Sequence, residues 1–482
     1  MSGHNELCRL SATEVVSMLR HGTVSPLELV DAAAARIEEV DSRVNALPIR
    51  FLDAARAAAR HFPPPGGHPD RPGWLAGLPV AVKDYNDVGG QLTTFGSPIF
   101  ADHIAPEDDI TVAVMRAGGA IPIAKSNVPE FAGAHTFNPL WGTTRNPWNL
   151  NRSAGGSSGG AAAALAAGEV WLANGSCLGG SLRIPASFCG VVGLRPSPGR
   201  VPRGRGLPAF DDLWVEGPMA RDVADLALFL DAQAVPSADD PLSRPAPSIS
   251  FVEVLGKPRA PKRVAFSADL GLMRVDSEVA ALCRAGAARF ADLGAEVEET
   301  APDFSGAVDA FQTLRALLMA ETRGELLARE RARIAPEIVW NIEKGLALTA
   351  EQILRALRAR AALYHRVAEF FETFDILVCP TVAVPPFPAE QRWPTEIGGQ
   401  KLATYIDWMF LTFVVTLTSC PALSLPCGLT KDGLPVGLQL IGRPHGEAAL
   451  LSAAYLLEQA LGLSRLVPRD PASPTDPAIR SG

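Results

Sequence analysis

Two serines framed by glycines stand on either side of an alanine-rich segment in the first half of the chain. One lies in the run from Gly155 to Gly160, and the other lies in the run from Gly179 to Pro185. Glycine has no side chain, so it permits sharp turns and lets backbone N–H groups approach a reacting atom. A nucleophile needs this combination of access and hydrogen-bond donors. A flexible linker would need neither the apolar helix nor the Ser-Leu-Arg-Ile-Pro ending, so we interpret the segment as a reactive site.

The bulk composition excludes several other classes of protein. Of the 482 residues, 47% are hydrophobic and only 20% are charged, which excludes wholesale disorder. A net charge of −8 without a Lys/Arg block argues against nucleic acid as a partner. No apolar run is long enough to span a membrane, and the N-terminus lacks the regions of a signal peptide, so we expect a cytoplasmic protein. The seven scattered cysteines contain no C-x-x-C pair, which predicts reduced core residues.

Strand-like and helix-like segments alternate along much of the chain. Leu78 to Val82 and Arg263 to Ser267 are typical of buried strands, and Thr111 to Ala117 and Ser277 to Leu293 are typical of helices. This alternation predicts an α/β fold with three α/β/α layers around a large mixed β-sheet. We expect a single domain over 1–482, with N-terminal helices at 9–60, a catalytic core at 71–300, a helical insertion at 304–370 beside the site, a return to the core sheet at 371–466 and a frayed tail at 467–482.

Local signals refine this plan near the N-terminus and near the serines. Capping patterns that begin at Ser11 and at Ser25 predict two helices within 9–60. The Pro/Gly-rich run 62–73 is typical of a loop. The alanine-rich run 161–168 should form a helix whose N-terminus points at the first serine cluster.

An attacking hydroxyl has to lose its proton, so a nearby side chain has to serve as the base. Most of the eight histidines lie in unsuitable segments, although His103, His135 and His445 stay open. Of the 44 basic residues only seven are lysine, yet Lys83 ends a buried strand. Lysine can be neutral when it is desolvated, whereas arginine stays protonated. Lys125 has similar surroundings, so the residues alone do not choose between the two lysines.

The order and spacing of these segments resemble the amidase signature family, a group of serine hydrolases that act on C–N bonds. The resemblance spans most of the chain. It rests on the serine-bearing runs and on the segments Gly77 to Asp84, Lys125 to Phe131, Arg145 to Trp148, Cys189 to Pro196, Gly217 to Arg221 and Gly433 to Gln439.

The resemblance implies a proton route through three side chains. Ser181 would be the nucleophile, Ser157 the bridging serine that follows a cis peptide bond, and Lys83 the neutral base. No metal or organic cofactor is implied. An oxyanion hole and a substrate-binding wall are implied as well, the hole at the backbone N–H groups of Leu178, Gly179, Gly180 and Ser181, and the wall at Phe131, Ala132, Gly133 and Ala134.

Several positions near the second serine are expected to brace the site or depart from the family pattern. Cys177 stands where the family usually has aspartate, and a thiol accepts hydrogen bonds only weakly. It is interpreted as a packed small residue, with alternative loop bracing, an altered lysine protonation balance and a second nucleophile left open. Thr416 and Ser419 stand where the family often has asparagine and glycine. Arg183 is expected to form an internal ion pair, and Ser158 to join the hydrogen bonds without reacting.

Other hydrolases and phosphate-binding proteins fit the serine cluster less well. The run 156–160 satisfies G-x-S-x-G, but the preceding run 145–154 is polar and broken by proline where a nucleophile elbow requires an apolar strand. A P-loop would end in Gly-Lys-Ser/Thr, which the run lacks. A catalytically silent binding relative stays open.

The main alternative lies within the family, in the catalytic subunit of a glutamyl-tRNA amidotransferase, which passes ammonia to a partner subunit. The departures at Cys177, Thr416 and Ser419 favour a stand-alone amidase. We therefore predict hydrolysis of a small-molecule carboxylic amide through an acyl-serine intermediate. The sequence does not identify the substrate among amides, anilides, hydrazides, carbamates and urea-like compounds, and it leaves a homodimer open.

Overall fold

The computed structural model describes residues 3–66, 71–204 and 206–473. Their α-helices are α1 Gly3–Arg9, α2 Ala12–His21, α3 Pro26–Val44, α4 Leu52–Arg60, α5 Ile110–Ala117, α6 Gly159–Ala167, α7 Arg183–Cys189, α8 Val223–Gln233, α9 Phe251–Leu255, α10 Ser277–Asp292, α11 Ala307–Glu330, α12 Pro336–Leu346, α13 Ala350–Thr373, α14 Phe410–Thr416 and α15 Glu447–Leu461. Their strands are β1 Ile49–Arg50, β2 Pro79–Lys83, β3 Ile121–Ser126, β4 Phe137–Asn138, β5 Gly142–Thr143, β6 Arg145–Asn146, β7 Asn149–Ser153, β8 Leu172–Cys177, β9 Val192–Arg195, β10 Val215–Ala220, β11 Arg263–Phe266, β12 Glu296–Glu299, β13 Ile376–Pro380, β14 Glu396–Ile397, β15 Gln400–Lys401, β16 Ala422–Leu429 and β17 Pro435–Gly442.

One mixed sheet of eleven strands organises the described residues. Its strand order is β1-β3-β2-β8-β10-β9-β16-β17-β13-β11-β12. The strands β3, β2 and β8 run parallel, as do β13, β11 and β12, and the strands between these two groups pair antiparallel. The prediction of a large mixed sheet is confirmed.

Helices cover both faces of this sheet. Every residue of β2, β8, β10, β13 and β17 is buried, although successive side chains of a strand point to opposite faces. A strand that is buried on both faces needs a helical layer on each side. The three-layer α/β/α prediction is therefore confirmed.

The N-terminal segment is more broken than the sequence suggested. Ser11 and Ser25 each form a reciprocal capping box, which confirms the starts of α2 and α3. The segment also contains a third helix, α4, and the short edge strand β1, which pairs with β3. The two-helix prediction for 9–60 was therefore incomplete, because only pairing with a distant strand defines β1.

The helical stretch predicted at 304–370 is confirmed as α11, α12 and α13. The predicted frayed tail is wrong for its first part. Ala472 donates its N–H to the Pro147 carbonyl at 3.0 Å and accepts one from Leu150 at 2.9 Å, so 467–473 is attached to the body of the protein. The remainder of the tail, 474–482, and the part of the 62–73 loop at 67–70 lie outside the described residues.

Across 3–66, 71–204 and 206–473, none of the helices has the length and apolar character that crossing a bilayer requires.

Candidate active site

The two candidate lysines lie on neighbouring parallel strands but point to opposite faces of the sheet. The β2–β3 register pairs Lys125 with Val82, one residue before Lys83. Because side chains alternate along a strand, this offset sends the two ammonium groups in opposite directions. Lys125 bonds to the Asn86 carbonyl and, at 2.9 Å, to the Thr93 hydroxyl. The geometry therefore leaves Lys83 as the lysine that reaches the serines.

Lys83 lies at the centre of a buried group of hydroxyls. Its Nζ donates to the Oγ of Ser157 at 2.8 Å, to the Oγ of Ser158 at 2.7 Å and to the Ser176 carbonyl at 3.3 Å. The lysine is fully buried, and Ser157 and Ser158 are buried with it. The Gly156–Ser157 peptide bond is cis, as the resemblance implies. Helix α6 begins directly after Ser158, which confirms that its N-terminus points at this cluster.

Ser181 is joined to this cluster through the main chain. The Ser158 N–H donates to the Ser181 carbonyl at 3.2 Å. In the described part of the chain no hydrogen bond joins the hydroxyls of Ser157 and Ser181, and Ser181 is only half-buried. Catalytic hydrogen bonds often form only once substrate is bound, so the step between these two hydroxyls stays a prediction.

Burial shifts the proton balance at this site. It lowers the pKa of Lys83 to about 7, against the opposing effect of the Glu216 and Cys177 charges. Glu216 lies on β10, where burial raises the pKa of its carboxyl to about 8. Its Oε1 accepts from the Trp214 indole at 3.2 Å, whereas its Oε2 is buried without a partner among the described residues. Both ionisable groups are thus biased towards their neutral forms.

The loop 178–181 is held by its carbonyl oxygens. Helix α14 presents Thr412 and Thr416 on one face, and their hydroxyls donate at 2.7 Å to the carbonyls of Gly179 and Leu178. The Thr412 hydroxyl shares its proton with the Met409 carbonyl of its own helical turn, at 2.8 Å. The Gly180 carbonyl accepts from the Ile184 N–H at 2.8 Å. A peptide unit is planar, so fixing a C=O also fixes the direction of the next N–H.

Three N–H groups of this loop are consequently oriented but unused. Those of Gly179, Gly180 and Ser181 donate to no acceptor within the described residues. Gly180 has φ +141, and a Cβ there would lie 2.3 Å from the Thr412 hydroxyl. Glycine is therefore required at this position for both its conformation and the close approach.

The residues flanking this loop form a buried cluster of sulfur and arginine. Arg183 donates to the Gln439 side-chain oxygen at 2.5 Å and to the Cys177 sulfur at 3.4 Å. Arg195 donates to the Cys177 carbonyl at 2.6 Å. All of these side chains are buried. Arg183 thus braces the loop through an amide oxygen and a cysteine sulfur. The expected internal ion pair is not formed with any aspartate or glutamate of the described residues.

The predicted substrate wall at 131–134 is held at Ala132. Its N–H donates to the Tyr85 hydroxyl at 2.7 Å, and its carbonyl accepts from Arg315 at 3.3 Å. Phe131 and Ala132 both have positive φ, 43° and 73°, a strained backbone that the surroundings must enforce. A Cβ at Gly156 would lie 2.8 Å from the Ala134 oxygen, so the wall ends against the peptide that precedes Ser157.

The wall borders two separate cavities. Gly133 and Ala134 line one of about 400 Å³, together with Phe137, Trp393 and Tyr405. Phe131 instead lines a smaller cavity of about 120 Å³, which also contacts Tyr85, Trp214 and Glu216. The predicted single wall at 131–134 is therefore divided between two cavities.

The three histidines that the sequence left as possible bases form other contacts. His135 is buried between the Ser153 hydroxyl at 2.8 Å and the Ala389 carbonyl at 3.0 Å, and burial lowers its pKa to about 4. His103 approaches the Asp87 carboxylate at 3.9 Å, and His445 hydrogen-bonds Arg244 at 3.0 Å. These contacts explain the three residues without a catalytic role.

Sequence reasoning missed three residues that shape this site. Glu216 is an acidic residue inside an otherwise apolar strand, a signal that could have been noticed. Thr412 precedes Thr416 by one helical turn, which also could have been read from the sequence. Arg195 gave no signal, because only the fold brings it to the Cys177 carbonyl. Among the described residues, no group of three or more His, Cys, Asp or Glu side chains could hold a metal ion.

Known proteins resemble this chain over almost its whole length. The family model described as Amidase matches residues 28–451. An acylamidase of Rhodococcus erythropolis is 36% identical over 454 residues, covering 93% of this chain and 95% of the relative. A glutamyl-tRNA(Gln) amidotransferase subunit of Moorella thermoacetica is 37% identical over 489 residues, covering 96% and 99%.

Solved structures agree with the sequence relatives. A bacterial aryl acylamidase of the amidase signature family superimposes with a TM-score of 0.88 at 29% identity, covering 96% of this chain and 99% of the other. A 6-aminohexanoate cyclic dimer hydrolase gives 0.86 at 29% identity, with the same coverage. The chain belongs to the amidase signature family. It is a hydrolase that acts on amide bonds, as the sequence predicted.

Proposed function

We propose that the chain hydrolyses a carboxylic amide through an acyl-Ser181 intermediate. The Ser181 hydroxyl attacks the amide carbon while its proton passes to Ser157, and Ser157 passes its own proton to neutral Lys83. The observation that carries the proposal is the 2.8 Å bond between Lys83 Nζ and Ser157 Oγ in a fully buried setting. Burial supplies the neutral amine that a base must be, because it lowers the pKa of Lys83 to about 7.

The loop 178–181 is proposed as the oxyanion hole. Attack turns the carbonyl oxygen into an anion, and the unused N–H groups of Gly179, Gly180 and Ser181 are suited to bind it. Each such donor lowers the barrier by about 2.7–4 kcal/mol in comparable enzymes. The hydroxyls of Thr412 and Thr416 keep these donors aligned before substrate arrives, so little reorganisation is needed during the reaction.

The remaining steps reverse the proton route. Lys83 returns its proton through Ser157 to the amine nitrogen, the C–N bond breaks and the neutral amine leaves. A water molecule then attacks the acyl-Ser181 carbonyl and gives a proton to the same route. That proton returns to the Ser181 oxygen as the carboxylic acid departs, which restores the starting state.

An aryl or medium-length acyl amide is the proposed substrate class. The cavity of about 400 Å³ beside Ala134 is lined by the aromatic side chains of Phe137, Trp393 and Tyr405, and also by the charged residues Glu130, Arg333, Glu337 and Arg392. The three aromatic side chains are suited to contact an aryl or apolar acyl group. The two relatives named as acylamidases, one of them an aryl acylamidase, support the same class.

The glutamyl-tRNA amidotransferase activity is the second candidate. It is favoured by the 37% identity of this chain to the Moorella thermoacetica protein, which is as high as the 36% identity to the acylamidase. The departures from the family pattern at Cys177, Thr416 and Ser419 favour the stand-alone amidase. Glutaminase activity that appears only with partner subunits would reverse this ranking.

We further propose that residues 1–482 form one domain and that the protein is cytoplasmic. The first proposal is supported by a single sheet whose strands come from 49–442. The second is supported by seven buried cysteines that are all free, as is usual in a reducing compartment.

A turnover screen across small amides tests the proposed function. The panel should include aryl and alkyl acyl amides, anilides, hydrazides, carbamates and glutamine, with Ser181→Ala as the blank. We expect release of amine from at least one neutral acyl amide, and none from the Ser181→Ala protein. Equal turnover by the two proteins would remove Ser181 from the mechanism, and activity on glutamine alone would favour the amidotransferase.

A further inference from the structure

Cys177 lies at the junction between a core strand and the proposed oxyanion loop. It is the last residue of β8, and 178–181 follow immediately. Its sulfur accepts from Arg183 at 3.4 Å, and its carbonyl accepts from Arg195 at 2.6 Å. Both the sulfur and the main chain of this one residue therefore bond to guanidinium groups.

The two arginines lack a carboxylate partner. An arginine side chain stays charged inside a protein, so each brings a full positive charge into the interior. Within the described residues neither Arg183 nor Arg195 forms an ion pair with an aspartate or glutamate. Their other acceptors are the neutral oxygens of Gln439 and Leu213. Two unpaired buried cations are strongly unfavourable unless an anion lies nearby.

Within the described ranges, Cys177 is the ionisable residue that hydrogen-bonds to both arginines. The Cys379 and Cys420 thiols each interact with one arginine, but burial raises the pKa of both, which keeps them neutral. Asp212 acts on Arg195 only from a greater distance and bonds to Arg360 at 2.5 Å. In addition, Arg195 Nη2 and the Nε atoms of both arginines are buried without an acceptor in the described part of the chain, so the cluster has unused donors for an anion. Lys83, on β2, adds a third basic group whose charge interacts with Cys177.

The electrostatic balance at the sulfur agrees with this geometry. Burial alone would raise the pKa of the Cys177 thiol, but the charges of Arg183 and Arg195 overcome it and lower the pKa to about 6. Cys189 is buried to the same degree without an arginine contact, and burial raises its pKa far above the usual value. The two cysteines are equally buried, so the difference in pKa comes from the two arginines, together with a hydrogen bond from the Leu182 backbone.

We propose that Cys177 is a thiolate that serves as the counter-ion of Arg183 and Arg195 and thereby positions the loop 178–181. It is a positioning residue and does not touch the substrate. Arg195 fixes the Cys177 carbonyl and so the Leu178 N–H, while Arg183 begins the helix that follows Ser181. The thiolate bonds these two sides together. This inference rests on the proposed function only for its effect on turnover.

The ionisation state is tested without any reference to catalysis. The ultraviolet absorbance of a thiolate is titrated for the folded wild-type protein, and the titration of folded Cys177→Asp, which lacks only this sulfur, is subtracted. We expect a difference signal that appears as the pH rises through about 6. A difference that appears only near 9.0, the value of an ordinary thiol, would overturn the proposal.

The positioning role is tested by three substitutions with Cys189→Ser as the matched control. Cys177→Ser and Cys177→Ala remove the charge, and we expect kcat/KM to fall at least about tenfold, mainly through kcat. Cys177→Asp restores the charge at similar volume and should return kcat/KM to within about threefold of wild type. Cys189→Ser should leave kcat/KM unchanged.

The outcomes separate this inference from the proposed function. Wild-type kcat/KM in Cys177→Ser would overturn the positioning role. If Cys177→Ser does not fold, Cys177→Asp decides, because a folded and active Asp protein supports the counter-ion and an inactive one overturns it. If the wild-type protein turns over no amide, the proposed function is wrong, but the thiolate titration still tests whether Cys177 is ionised.

Discussion

The pH dependence of kcat/KM follows directly from the burial of Lys83. Neutral lysine is the active form, so activity should rise with pH. With a pKa of about 7, about one molecule in a hundred carries neutral Lys83 at about pH 5, and about nine in ten do so at about pH 8. We therefore expect kcat/KM to rise roughly a hundredfold between these pH values and then to level off.

A single substitution tests whether this rise in kcat/KM, the acidic limb of the pH profile, reports the deprotonation of Lys83. The negative charge of Glu216 raises the pKa of Lys83. Because the pKa of Glu216 is itself about 8, only about one Glu216 carboxyl in ten is ionised at about pH 7. Glu216→Gln removes that fractional charge and keeps the side-chain shape, so the acidic limb should move only slightly, and only to lower pH. Glu351→Gln, on the exposed face of α13, is the matched control and should leave the limb in place.

The assay is initial-rate hydrolysis of a chromogenic anilide, measured in buffers of constant ionic strength for wild type, both glutamine variants and Lys83→Ala. Lys83→Ala should lose at least about a hundredfold in kcat/KM while retaining the wild-type circular dichroism spectrum. A kcat/KM that stays constant or falls between about pH 5 and 8 would refute the role of neutral Lys83. A rise in kcat/KM that moves to higher pH in Glu216→Gln would refute it as well.

Three further predictions concern the loop and its flanks. Gly180→Ala places a methyl group against the Thr412 hydroxyl at positive φ, so we expect about 1–3 kcal/mol of destabilisation in urea unfolding and a loss of turnover; wild-type values would contradict the close packing. Thr416→Val removes one bond to the Leu178 carbonyl and should lower kcat roughly fivefold with KM nearly unchanged, as steady-state kinetics would reveal; an effect confined to KM would count against it. Folding lowers the Cys177 pKa from 9.0 to about 6, so between these pH values the unfolded chain holds the thiol proton and the folded chain does not. The free energy of unfolding of wild type relative to Cys177→Ala should therefore rise from about pH 6 to 9, by at most about 4 kcal/mol. A difference in unfolding free energy that does not vary with pH would exclude the thiolate.

Local chemistry made part of the fold predictable. The capping boxes at Ser11 and Ser25 lie within four residues of sequence, so α2 and α3 could be placed without knowledge of distant partners. The alternation of strands and helices likewise indicated the mixed sheet. Strand β1 could not be predicted in this way, because two residues become a strand only through pairing with β3.

The candidate site, like the fold, could be predicted from the sequence only in part. Lys83 and Lys125 are alike as buried strand lysines, and only the β2–β3 register shows which one faces the serines. The resemblance chose Lys83, and the geometry gives an independent physical reason. The spacing of Thr412 and Thr416 shows that they share a helix face, but their contacts with the loop cross more than two hundred residues of sequence, so the sequence could not show what that face touches.

Covalent labelling tests the central claim most directly. A fluorophosphonate reacts with a serine whose hydroxyl is activated by a nearby base, and peptide mapping by mass spectrometry then identifies the labelled residue. We expect a single label on Ser181, with labelling slowed strongly in Lys83→Ala and in Ser157→Ala. A label on another residue, or labelling of Ser181 at the wild-type rate in both variants, would contradict the proton route from Ser181 through Ser157 to Lys83.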